Sequence, residues 1–295
     1  MFKQYFKFIV RKLSRNRVYT VINIVGLSIA FSAAWLIYSH TANEWNMDGD
    51  LKNSDNIYRV ITRYGDEDFW NCRTNTPFGP AAKRTFPEIV QVARYFQKDY
   101  RIKIEDSQDF TIEPKLAFVD PPFFDLFEIP VIQGKIDTTV FSWIVFTETS
   151  AKRYFNKENP IGKTVTIKDG INNRKKDIKC QVVAVIKDFP ANSTIQANII
   201  VDYRQGAPYF DEHRGNYSLY TYFHILPTAD LRAIEKKLPT IASNMPDDVN
   251  HYSHRLQPLK DIYFHSEHLR EDELLRGSQS LTYLLWSITI LILLL

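Results

Sequence analysis

Gly162-Lys163-Thr164, within Glu158–Ile167, has the residue types that close a phosphate-binding loop. Such a loop cradles a nucleotide with consecutive inward-pointing backbone N–H groups and places a lysine on the phosphates. The full pattern asks for a glycine five positions before Gly162, and Lys157 stands there. Pro160 removes one N–H from the stretch, and the triplet runs into "VTI", a strand-like alternation rather than a helix start. The segment therefore reads as a tight turn, Asn159-Pro160-Ile161-Gly162, feeding a strand, and Lys163 is expected to bind no ATP.

Two further groups could do chemistry. His251/His254 and His265/His268, with Glu267 beside the second pair, have a metal-ligand flavour. The strand-like "RLQPLKDIY" between them points the pairs in different directions, so surface histidines are the plainer reading. Asp66-Glu67-Asp68 reads as a solvated loop, and Asn192-Ser193-Thr194 fits a glycosylation acceptor only by pattern. No G-x-S-x-G, H-E-x-x-H or C-x-x-C occurs. Cys72 and Cys180 allow one bridge or none. No catalytic, cofactor-binding or metal-ligating residue is assigned, no cofactor is expected, and the chain is not read as an enzyme.

The elements around these residues begin with a membrane signal. Val18–Ser39 carries no charge, long enough as a helix to cross a bilayer core. Lys3, Lys7, Arg11, Lys12, Arg15 and Arg17 precede it, while Glu44, Asp48 and Asp50 follow, so the N-terminus is expected inside and the body outside. A cleaved signal peptide would have a shorter apolar stretch. Gly26, Ala30 and Ala34 share one helical face, a surface suited to close packing on another membrane helix. Residues 1–17 combine Phe2, Phe6, Ile9 and Leu13 with the cations, as a helix on the inner leaflet does. Leu281–Leu295 is apolar but short, and reads as a second membrane helix cut part-way, in a fragment or a truncated gene.

Residues 45–275 mix both periodicities and make an α+β body, one domain or two subdomains. "DNIYRVITRY", "KCQVVAVI" and "YTYFHIL" read as strands. "TPFGPAAKRTFPEIVQVARYF" reads as a helix after Pro77, a turn at Phe86-Pro87 and a strand. "DPPFFDLFEIPVIQG" reads as a short helix and a turn ending at Gly134, and "TSAKRYF" as a short helix. "DLRAIEKKLPTIASNM" has Leu231, Ile234 and Leu238 on one helical face, with Pro239 interrupting. The +6 of residues 1–17 leaves −3 for the rest, which does not suit a nucleic-acid binder.

The order of "RNRVYTVINIVGLSIAF", "FGPAAKRTFPEI", "VDPPFFDLFEIPVIQG", "TETSAKRYFNKENPIGKTVTI", "VVAVIKDFPANSTIQANIIV", "LQPLKDIYFHSE" and "GSQSLTYLLWSITILILLL" resembles the MacB-like/FtsX-like permeases of ABC transporters, in the long Bacteroidetes form. The resemblance covers essentially the whole chain. It implies an α+β periplasmic core domain at 45–275, a transmembrane helix at 18–39, the start of a second at 281–295, and residence in a bacterial inner membrane with the N-terminus cytoplasmic. It implies mechanotransmission: an ABC ATPase on a separate chain hydrolyses ATP, and the permease turns this into motion of the periplasmic domain for export, lipoprotein release or cell-wall enzyme control. The implied partners are that ATPase, a second permease protomer, membrane lipid, and a periplasmic adaptor or outer-membrane protein. The family continues past the second helix with segments that engage the ATPase, so this stretch alone is expected not to couple to ATP. The alternative reading is a membrane-tethered extracytoplasmic sensor or binding module. An extracellular hydrolase ranks third, for want of a nucleophile motif.

Overall fold

The computed structural model describes residues 11, 15–65, 68–105, 107, 109–137, 139, 142–168, 177–206, 219–242, 252–270 and 272–294. They form two compact units, Met47–Arg276 and the helical segments flanking it in sequence. The amphipathic reading of residues 1–17 falls almost wholly outside the described residues.

Helix α1 (Arg17–Trp45) continues past Ser39, because nothing in "HTANEW" breaks a helix. Its hydroxyls turn back on the backbone: Ser28 donates to the Ile24 carbonyl and Ser32 to that of Ser28, each at 2.8 Å. This satisfies polar groups without water, as an apolar surrounding demands. Its partner in the helical unit is α6 (Gln279–Leu294). The covered positions include the series Ala30, Ala34, Ile37, Thr41 and Glu44 on α1 and Thr282, Leu285, Thr289 and Ile292 on α6, with Ala33, Ser39, Ala42 and Trp286 beside them. Alternating steps of three and four are the spacing of a coiled-coil seam. The helices run antiparallel: Thr282 donates to Glu44 at 2.9 Å, Trp45 meets Tyr283, and Tyr38 meets Trp286 edge-on. Of the small-residue face expected at Gly26, Ala30 and Ala34, Ala30 and Ala34 lie on this seam, and Gly26 has open space around it.

The strands of the Met47–Arg276 unit are β1 (Ile57–Tyr64), β2 (Trp70–Asn71), β3 (Ile89–Ile104), β4 (Thr111–Val119), β5 (Val131–Gly134), β6 (Trp143–Thr147), β7 (Thr164–Lys168), β8 (Ile178–Ile186), β9 (Ile199–Asp202), β10 (Tyr220–Ile225), β11 (Tyr252–Pro258) and β12 (Leu269–Arg270). Its helices are α2 (Phe78–Thr85), α3 (Phe123–Leu126), α4 (Glu148–Phe155) and α5 (Leu231–Ala242). The main ladder runs β12-β2-β1-β10-β3-β4-β9-β6-β8-β5, with β11 on β1. Strand β7 pairs with both β3 and β8, so β3-β4-β9-β6-β8-β7 closes into a ring.

Period-two alternation sorts the ring's side chains. Ile102, Leu116, Phe118, Ile144, Phe146, Val165, Ile167, Cys180, Val182, Ile199 and Val201 form one cluster. Their neighbours Ala117, Val119, Val145, Ala184 and Ile200 belong to a second, with α3 and the β1–β10 face. A third cluster lies under α2 and α5, around Phe78, Phe223, Ile234 and Leu238.

The mixed α+β body is as expected, with two local corrections. Pro239 sits inside α5 instead of interrupting it. Burial of Ile234, Leu238 and Ile241 outweighs the backbone hydrogen bond that proline forfeits. The stretch before Gly134 is strand β5, paired with β8, not a turn.

Candidate functional site

The Gly162 segment is a turn by every contact it makes. Gly162 takes a left-handed φ of 88° and donates its N–H to the Val182 carbonyl at 2.8 Å. Lys163 is paired with Glu158 and lies over the Phe155 ring, which leaves no lysine reaching into a phosphate cradle. Thr164 begins β7. The segment's work is to turn the chain from α4 into the strand that closes the ring.

The histidines do not converge. His251 and part of the acidic run Asp66–Asp68 lie outside the described residues. His254, expected at the surface, is buried on β11 and stacked on Phe78, with ring centroids 4.4 Å apart. Burial pushes its pKa down to about 3, so the ring is neutral and packs as an aromatic. His265 and His268 are exposed. Among the described residues no cluster of three metal-ligating side chains occurs. Cys72 and Cys180 are free thiols in different apolar clusters, each pushed up to about 12 by burial.

Two organised polar groups lie near the two ends of the Met47–Arg276 unit. At its start, Asp48 is buried and takes a left-handed φ of 54°, a conformation aspartate tolerates. Its backbone N–H donates to the Asn192 carbonyl at 2.7 Å. Its carboxylate accepts from Ser193 Oγ at 2.8 Å, Thr194 Oγ1 at 2.5 Å and the Thr194 N–H at 3.1 Å. Asn192 in turn donates to Asp50 at 2.8 Å. No cation appears in this set. Burial raises the Asp48 pKa, while the bonds from Thr194 and Ser193 act in the opposite direction. A cavity of about 250 Å³ opens beside it, walled by Leu51, Phe127, Ile129 and Phe189.

At the other end, Asp272 meets Arg59 of β1 at 2.9 Å, both side chains fully buried. The contact is ionic rather than a directed hydrogen bond, since neither of the two atoms finds a partner at an acceptable angle. Arg59 uses its other nitrogens well. Nε and Nη2 donate to Gln257 at 3.1 and 2.7 Å, and Nη2 to Ser266 at 2.8 Å. The next residue, Glu273, donates its N–H to Tyr220 Oη at 2.8 Å and pairs with Arg73 at 3.1 Å. Leu274 then enters the second apolar cluster.

Each end of the unit is therefore tied back to its body by a buried carboxylate, Asp48 to the 192–194 loop and Asp272 to β1. Neither was found by motif. Arg59 had a usable signal: it stands between Ile57 and Ile61, on the core-facing alternation of β1. A charge at such a position requires a buried partner, but nothing local names Asp272. Asp48 carried no signal beyond following an apolar helix.

The chain's relatives are permease domains. The MacB-like periplasmic core domain profile matches residues 20–241. A domain of a Porphyromonas gingivalis protein assigned as a permease is 19% identical, with a TM-score of 0.60 over 76% of this chain and 96% of that one. The periplasmic region of MacB from Actinobacillus actinomycetemcomitans is 15% identical, with a TM-score of 0.47 over 68% of this chain and 88% of that one. The extracellular domain of the ABC-type transporter YknZ from Gram-positive bacteria is 12% identical, with a TM-score of 0.49 over 68% of this chain and 99% of that one. No curated protein matches the chain.

Proposed function

The chain belongs to the MacB-like periplasmic core domain family of ABC transporter permeases, and from that premise we propose that it is a mechanotransmission permease. In this reading α1 spans the bacterial inner membrane with its N-terminus cytoplasmic, and residues 45–275 are periplasmic. ATP is hydrolysed by an ABC ATPase on a separate chain, and two permease protomers move together. The motion serves export, lipoprotein release or control of a cell-wall enzyme, through an adaptor or outer-membrane partner.

The observation that supports this is the pair of carboxylate clamps. A domain that receives motion through its chain ends needs those ends fixed to its sheet, so that displacement is transmitted instead of being absorbed by slack. Asp48 fixes the first end to the 192–194 loop, and Asp272 fixes the last to β1. The sensor reading has one feature in its favour, the apolar cavity beside Asp48.

The experiment places spin labels at exposed Ile112 in both protomers of the full-length permease, in membranes with its ATPase. ATP binding is expected to change the interprotomer distance, and Asp48→Ala or Asp272→Ala to abolish the change while ATPase assembly persists. A distance that follows ATP equally in both variants defeats the role given to the clamps. A distance indifferent to ATP in the wild type defeats the mechanotransmission reading. For topology, a reporter active only outside the cytoplasm and fused at Gly170 should be active; silence there, with activity of a cytoplasmic reporter, reverses the orientation.

A further inference from the structure

Outside the two clamps, two arginines are held in place with no ion-pair partner among the described residues. Arg63 on β1 and Arg255 on β11 both lie against the Trp70 indole, their guanidinium carbons 5.2 and 4.5 Å from its ring centroid. The register puts them on one face of the sheet. Ile61 pairs with Arg255, Arg63 with Ser253, and Thr62 with Asn71, which sets Trp70 opposite Arg63. Arg63 and Arg255 are thus diagonal neighbours across an antiparallel pair, where like charges repel.

Neither guanidinium has a carboxylate or carbonyl partner among the described residues, and Arg63 Nε is buried with no acceptor at all. Asp68, on the same hairpin, is exposed and bonds to neither. Stacking on Trp70 fixes the two forks without using their N–H groups. An arrangement of two oriented cations, each with unused donors, is complementary to one compact phosphate anion. Each fork can give parallel N–H bonds to a pair of oxygens, and a tetrahedral phosphate has enough oxygens to receive both.

We infer that Arg63, Arg255 and Trp70 form a binding site for a phosphate group. The phosphate bridges the two guanidiniums, with Trp70 as the floor that holds both forks in register. The same chemistry is offered by a phospholipid headgroup and by a soluble phosphorylated molecule, and the test separates them.

The full chain in neutral detergent is titrated with inorganic phosphate at constant ionic strength, followed by calorimetry and tryptophan fluorescence. Saturable binding is expected. Arg255→Gln, an exposed position that spares the fold, should weaken it by about tenfold or more, and Arg255→Lys should restore only part, because lysine lacks the fork. Arg63→Gln should behave alike, and Trp70→Phe should bind while losing the fluorescence response. Absence of saturation, or an affinity unchanged in both glutamine variants, overturns the site. The titration is then repeated in nanodiscs of phosphatidylcholine, with and without phosphatidylglycerol. A lower apparent phosphate affinity with phosphatidylglycerol, lost in Arg255→Gln, identifies a lipid headgroup as the occupant. An affinity indifferent to phosphatidylglycerol assigns the site to a soluble phosphorylated ligand.

Discussion

The clamps at the two ends of the Met47–Arg276 unit solve one problem by opposite means. Asp48 is held by two hydroxyls and a backbone N–H, with no cation. Asp272 is held by a fully buried guanidinium, whose Nε and Nη2 donate to Gln257 and Ser266. Neutral donors leave a buried carboxylate short of compensation, which is why the Asp48 pKa is raised. A buried ion pair compensates the charge but makes each partner indispensable, since removing one strands the other in the core. The first end can tolerate change in its clamp. The second holds or fails as a unit.

The comparison sharpens under mutation. Asp272→Ala strands Arg59 and should destabilise the unit by about 3–5 kcal/mol, seen as a large fall in Tm of the full chain in detergent. A double change, Arg59→Met with Asp272→Leu, should recover most of that loss; a double variant as unstable as the single one breaks the account of the second clamp. Asp48→Ala leaves three donors unmet and should cost about 1–3 kcal/mol.

Asp48→Asn separates charge from shape. The folded pKa of Asp48 lies above its unfolded value, so the folded state takes up the proton more readily. Ionised Asp48 is then a cost present at neutral pH and relieved as pH falls through its raised pKa toward the ordinary carboxylate range. Relative to the wild type, Asp48→Asn should be at its best at neutral pH and lose that advantage in acid. A difference that grows as pH falls would mean the bonds from Thr194 and Ser193 dominate.

His254 supplies the opposite slope, on the strand that carries Gln257. Its pKa is depressed to about 3, so the unfolded chain takes up a proton below about 6.5 that the folded chain refuses. Stability should fall as pH drops from there toward 3, by at most about 1.4 kcal/mol per unit. His254→Phe, which keeps the stack on Phe78, should flatten that part of the profile. An unchanged profile would place the acid sensitivity elsewhere. Smallest of all, Lys163→Ala should leave Tm unchanged, and calorimetry with ATP and magnesium should give no binding heat for either protein.

Elements whose cause is local were legible. The strands at Ile57–Tyr64 and Ile178–Ile186 announce themselves by alternation, and the turn at Gly162 by Pro160 and the glycine. The mixed ring was not legible, because its closure depends on β7 meeting both β3 and β8, a pairing no single segment encodes. Gly134 shows the same limit. Its sequence context suggests the end of a turn, but its φ of 78° and the Val183 carbonyl, 2.2 Å from where a Cβ would stand, come from pairing with β8. The clamps were hidden for a related reason. Asp48 and Asp272 are ordinary acids until a distant loop or strand arrives to bury them.

Cys72 and Cys180 turn this architecture into a clock. Each thiol lies in a different apolar cluster, and with a pKa near 12 almost none of it is thiolate while buried. A membrane-permeant alkylating reagent can therefore react only when the surrounding cluster opens. Cys180 times the opening of the ring interior. Cys72, whose Sγ lies 3.2 Å from the Arg270 carbonyl, times the segment that leads into the Asp272 clamp. The protein thus carries two native reporters, one for the interior of its ring and one for the end held by the Asp272 clamp.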